Sequence, residues 1–86
     1  GLIDEVSGLI QDSKRVAVIG LRNPIDFVTR LIPRLPDVTR QRFSFTTGLA
    51  PTVRRPFQAH FLTSPDLVRR RTIDAQKIVR VDAPDA

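Results

Sequence analysis

Apolar side chains recur at helical spacing over residues 2–11, where Leu2, Ile3, Val6, Leu9 and Ile10 alternate with Asp4, Glu5 and Gln11. That spacing predicts an amphipathic helix. Asp4 and Glu5 fall in its first turn, where the helix dipole favours carboxylates. Gly8 weakens it by about 1 kcal/mol relative to alanine. The rhythm then changes. Arg15-Val16-Ala17-Val18-Ile19 is a short β-branched run ending at Gly20, and it predicts a buried strand. Asn23-Pro24 is a helix start, with asparagine as N-cap, proline at the first helical position and Asp26 at the third. The apolar stripe that follows is Phe27, Val28, Leu31, Ile32 and Leu35. Pro33 lacks an amide proton and disfavours helix at the residue before it, so the helix should stop near Leu31 or Ile32. The segment from Pro33 to Thr39 reads as an irregular connection.

Strict alternation takes over further along. Residues 42–47 place Phe43 and Phe45 on one face and Ser44 and Thr46 on the other. Residues 56–62 set Phe57, Ala59 and Phe61 against Gln58, His60 and Leu62. The pattern predicts two strands joined by the loop Gly48 to Arg55, with all four phenylalanines on the inward rhythm. Ser64-Pro65-Asp66 opens a second, short helix, and Lys77 to Val81 reads as a last strand before a polar tail. The order is a leading helix, then β-α-β-β-α-β. This predicts an α+β fold of the ferredoxin-like split βαβ type: an antiparallel sheet with two helices on one face and an extra N-terminal helix.

Composition changes this picture only at its edges. The 86 residues imply one small domain, 1–86. Its first residue is Gly1, inside an apolar-periodic segment, and we expect it to be excised from a longer chain. Hydrophobic residues are 41% and charged residues 27%, which fits a globular protein and not a disordered one. No apolar run approaches the ~20 residues that span a bilayer, and no stretch of these residues reads as a signal-type leader. With no cysteine and one histidine, no cofactor or metal is expected, and the cysteine count fits a cytoplasmic location.

The net charge is +5, and arginine supplies most of the positive side chains. An anionic partner is therefore favoured, although arginine-rich composition also follows from a GC-rich genome. Arg54 and Arg55, in the loop, and Arg42, on the strand before it, form one candidate anion site, because guanidinium forks bind phosphate bidentately. Against it stands a plain solvated loop. Arg69, Arg70 and Arg71 form the densest positive run. Neighbouring residues fan out by roughly 100° around a helix, so this is no single-face clamp. Phosphate backbone would be one target; favourable charge at a helix C-terminus is the other explanation.

RNA-recognition domains stack bases on aromatic residues of the sheet. Here Ala17 and Ala59 stand where such aromatics belong. "VAVIGLRNP" is similar to the start of a dinucleotide- or CoA-binding βα unit. It holds the lone Gly20 and not a glycine triplet, and the length argues against a doubly wound sheet. His60, the only histidine, sits on a strand face read as exposed or half-exposed, with no nucleophile or acid at a telling spacing. No enzyme is expected.

One stretch carries a resemblance. Phe43-Ser44-Phe45-Thr46-Thr47-Gly48-Leu49, followed by Arg54-Arg55-Pro56-Phe57 and preceded by Leu35-Pro36, resembles a motif of large uncharacterised bacterial proteins of planctomycete type. There a Phe-Ser-Phe-Ser-Thr-Gly-Leu segment precedes Arg-Arg-Pro-Phe. The likeness spans about residues 31–61. It departs at Thr46, where serine is usual, and at Ala50-Pro51, where a basic-aromatic pair is usual. The resemblance implies a domain of a longer protein and no assigned activity. The sequence thus leads to a non-catalytic interaction domain of a larger bacterial protein, with a second protein or a neighbouring domain as partner and no membrane. Its alternative is an RNA- or single-stranded-DNA-binding domain using Arg42, Arg54, Arg55, Arg69, Arg70 and Arg71.

Overall fold

The computed structural model describes residues 1–47, 57–63 and 77–83. The expected loop 48–55, with Arg54 and Arg55, and the expected helix from Ser64, with Arg69, Arg70 and Arg71, lie outside the described residues. The elements run α1 (Leu2–Gln11), β1 (Arg15–Ile19), α2 (Pro24–Leu31), a 3-10 turn (Ile32–Arg34), α3 (Asp37–Arg42), β2 (Phe45–Thr47), β3 (Ala59–Leu62) and β4 (Ile78–Asp82).

The first three elements form where local chemistry places them. In α2, the Asn23 side chain accepts a hydrogen bond from the Asp26 amide at 3.1 Å, and Pro24 occupies the first turn. This satisfies one of the amides that a helix start leaves without a partner. Pro33 ends α2, but the chain does not become irregular there. It tightens into the 3-10 turn and restarts as α3 after Pro36. Asp37 sits in the first turn of α3 and Arg40 and Arg42 in the last, each sign at the dipole end that favours it. Asp37 and Arg40 also form an ion pair. Arg42 is therefore a helical residue, not the strand residue expected, and β2 is correspondingly short.

The sheet overturns the ferredoxin-like expectation. Its four strands lie in the order β2-β3-β1-β4, and every pairing is parallel. Val16 pairs with Ala59 on one side and with Val79 on the other, and Phe45 pairs with Ala59 across β3. The supposed hairpin of β2 and β3 is thus a parallel pair separated by residues 48–58. The chain leaves β1, forms α2 and α3, and passes beyond β3 before entering β2. Parallel neighbours need such crossovers, which short hairpin loops cannot provide. The length of the chain does not forbid a parallel sheet.

Parallel strands are usually buried on both faces and read as continuous apolar runs. β1 and β3 behave in this way. Val16 to Ile19 are buried, and so are all four residues of β3, including His60 at 0% exposure. The half-exposed face expected around His60 does not exist. On one side of the sheet Val16, Val18, Ala59, Phe61 and Val81 join Val6 and Ile10 of α1 and Phe27, Val28 and Leu31 of α2 in the main core. On the other side Ala17, Ile19, Leu62 and Ile78 form a smaller cluster. The phenylalanines divide accordingly. Phe61 is fully buried, Phe43 is half-buried at the core margin and Phe45 is exposed. Phe57 lies outside the strand and meets the His60 ring edge-on, with centroids 6.0 Å apart. Only part of the expected four-phenylalanine core is therefore core.

Candidate functional site at the carboxyl edge of the central strand

In open parallel sheets, ligands bind beyond the carboxyl ends of the strands, where connections diverge. β1 is flanked by β3 on one side and β4 on the other, and the chain leaving it turns toward β3 and β2. At that end the backbone is tightly knit. The Ala83 amide donates to the Ile19 carbonyl at 2.7 Å and the Leu21 amide to the Leu62 carbonyl at 3.1 Å. Gly20, between them, has φ +90, and a Cβ placed on it would lie 3.0 Å from the Ala83 carbonyl oxygen. Glycine is required there twice over: for the left-handed backbone and for the close approach of β4.

The turn after Gly20 delivers Leu21, Arg22 and Asn23 into the wall of a groove of about 600 Å³. The first turn of α1 and one side of α2 supply the remaining walls, through Ile3, Asp4, Asp26, Phe27 and Arg30, and Arg34 of the 3-10 turn closes it. Its volume falls within the range of ligand sites, roughly 300–1,000 Å³. Leu21 and Phe27 are buried and form an apolar floor, with Leu2 and Ile3 half-buried beside them. Arg22, Arg30 and Arg34 are exposed along the rim.

The rim arginines differ in their engagement. Arg30 pairs with Asp26 one turn earlier on α2, Nε to Oδ2 at 3.3 Å. Arg34 pairs with Asp4 across the groove, Nη1 to Oδ1 at 3.2 Å. The same residue's carbonyl accepts from the Ser7 hydroxyl at 3.5 Å, so α1 touches Arg34 at both its backbone and its head. Both ion pairs are exposed, and such pairs contribute about 0–1 kcal/mol each. Arg22 has no ion pair or hydrogen-bonded partner among the described residues.

Of the arginines singled out from the sequence, only Arg42 is described. It borders a different and smaller cleft of about 230 Å³, with Ile10, Gln11, Ser13, Val38, Thr39 and Gln58. These residues lie beside the amino ends of β1 and β3, so Arg42 does not join the groove. Arg22, Arg30 and Arg34 form no run in the sequence, because one lies in the turn after β1, one on α2 and one in the 3-10 turn. One signal was present: Arg22 is the second residue after the glycine that ends a continuously apolar strand. That is where a parallel sheet presents its ligand-facing turn.

Among the described residues no group of three or more histidine, cysteine or acidic side chains is placed to hold a metal ion, and no helix is long and apolar enough to cross a membrane. No protein-family model, no curated protein and no solved structure matches the chain.

Proposed function

We propose that this chain is a non-catalytic interaction domain of a larger bacterial, cytoplasmic protein, and that it docks an acidic segment of a second protein or of a neighbouring domain in the carboxyl-edge groove. The observation behind this reading is the groove itself, an apolar floor of Leu21 and Phe27 rimmed by Arg22, Arg30 and Arg34. The net charge of +5 makes an acidic partner the electrostatically complementary one. The likeness of residues 31–61 to planctomycete-type proteins supports a place within a longer chain.

The test is a titration of the 86-residue chain with fluorescein-labelled peptides that interleave Asp or Glu with Leu, at low and high salt. Arginine-leucine peptides and oligonucleotides of RNA and single-stranded DNA serve as comparisons. Acidic peptides should bind, with affinity falling as salt rises. Arg22→Ala should weaken them, and the oligonucleotides should bind more weakly than about 100 μM at low salt, below even ordinary non-specific binding. Tighter binding of the oligonucleotides than of any peptide would replace this reading with the nucleic-acid one.

A further inference from the structure

We infer that the groove recognises a carboxylate attached to an apolar group, that Arg22 is the residue that takes the carboxylate, and that Asp4 is a built-in competitor for the same kind of ligand. This rests on the reading of the groove as a docking site and names the chemistry it selects.

Three observations converge on it. First, guanidinium groups of this rim already hold carboxylate partners. Asp4 and Asp26 meet guanidinium groups at 3.2 and 3.3 Å, so a carboxylate fits at hydrogen-bonding distance against the arginines here. Second, Arg22 is the rim arginine left without an ion pair among the described residues, and it stands on the turn directly above Leu21. A ligand that places its carboxylate at Arg22 can lay an adjacent apolar chain along Leu21 and Phe27. The apolar floor explains why a bare anion would gain less, since each buried methylene adds roughly 0.8 kcal/mol. Third, Asp4 reaches across the groove from α1 to Arg34, which lies on a separate segment. An incoming carboxylate can displace Asp4 from Arg34 and engage two arginines at once. Asp4 therefore sets the threshold for binding, because a ligand gains the second arginine only by displacing it from Arg34.

The experiment uses small probes so that it does not depend on a protein partner. The uniformly ¹⁵N-labelled 86-residue chain is titrated with hexanoate, acetate, hexanamide and hexyl phosphate, and amide shifts are followed. Hexanoate should saturably move the amides of residues 2–4 and 21–27. Acetate and hexanamide should bind at least about tenfold more weakly, as expected when either the apolar or the charged contact is missing. Arg22→Gln should lower hexanoate affinity about tenfold or more and Arg22→Lys should restore part of it, because lysine keeps the charge but not the fork. Asp4→Asn should raise hexanoate affinity, and the gain should vanish when Arg34→Gln is added; a gain that persists without Arg34 would be a general charge effect and would overturn the competitor role of Asp4.

Equal binding of hexanamide would overturn the proposal, since the floor alone would then suffice. Tighter binding of hexyl phosphate than of hexanoate would do the same by showing a phosphate site. So would unshifted groove amides at the highest hexanoate concentration. The two readings fail separately. Acidic peptides that bind while hexanoate leaves the groove untouched would remove this inference and keep the interaction domain. Arg22-dependent hexanoate binding without any peptide binding would do the reverse.

Discussion

Phe61 occupies the crossing point of the main core. Its ring lies 5.7 Å from that of Phe27 on α2 and 6.1 Å from that of Phe45 on β2, and Phe45 in turn stacks on Phe43 at 5.3 Å. Aromatic pairs in this range add to the burial term. Phe61→Ala should therefore cost about 3–5 kcal/mol, measured as the shift in urea unfolding followed by circular dichroism. Phe45→Ala should cost far less, because that ring is 37% exposed. Gly20 is the other decisive single residue. Gly20→Ala should cost about 1–2 kcal/mol for the left-handed backbone alone, with crowding against the Ala83 carbonyl in addition; an unfolding midpoint equal to that of the parent chain would refute the argument. Phe61 was legible in the alternation of residues 56–62. Gly20 was legible as the end of a strand, but its contact with Ala83 joins residues far apart in sequence, which no local pattern records.

Elements with strong local signals appear where the sequence places them. α1 spans Leu2–Gln11, β1 spans Arg15–Ile19 and α2 starts at the Asn23-Pro24 cap. Each rests on a period, a cap or a breaker acting within a few residues. Asn23→Ala should remove about 1 kcal/mol of stability through loss of the cap, readable in the same unfolding assay, with Asn23→Ser retaining most of it. α3 was missed for a physical reason. Pro33 reads as a helix breaker, yet proline is tolerated at helix starts, so the helix resumes behind Pro36. The strand partners were missed for a different reason. Alternation reports which side chains share a face and nothing about the direction of the neighbouring strand. The continuous apolar run of β1 marks a buried strand, but a single strand leaves the direction, number and order of its neighbours open. The pairing is directly checkable by nuclear Overhauser contacts. Backbone contacts of Val18 with Phe61 and with Val81 are expected from the parallel register, and a hairpin pattern between residues 45–47 and 59–62 would contradict it.

At the scale of the whole molecule, stability and the proposed recognition separate. The two clusters on the faces of the sheet hold the fold together, while the charged side chains on the rim of the groove are exposed and meet in surface ion pairs. Arg22→Ala should change the unfolding free energy by less than about 0.5 kcal/mol, as surface substitutions usually do, while weakening carboxylate binding about tenfold or more. Loss of stability and binding together would instead make Arg22 a structural residue.

The sequence by itself determined α1, β1, the capped start of α2, the extended runs that hold β3 and β4, and a positive net charge. These depend on spacing, caps and composition, all of which act locally or simply add. Only the tertiary structure decided that the strands run parallel in the order β2-β3-β1-β4, that His60 is buried, and that Arg22, Arg30 and Arg34 meet around Leu21 and Phe27. Those outcomes depend on how segments distant along the chain pack against the two faces of one sheet. The groove exists because α1, the turn after β1 and the 3-10 turn converge at its carboxyl edge, a convergence written in no single stretch of the chain.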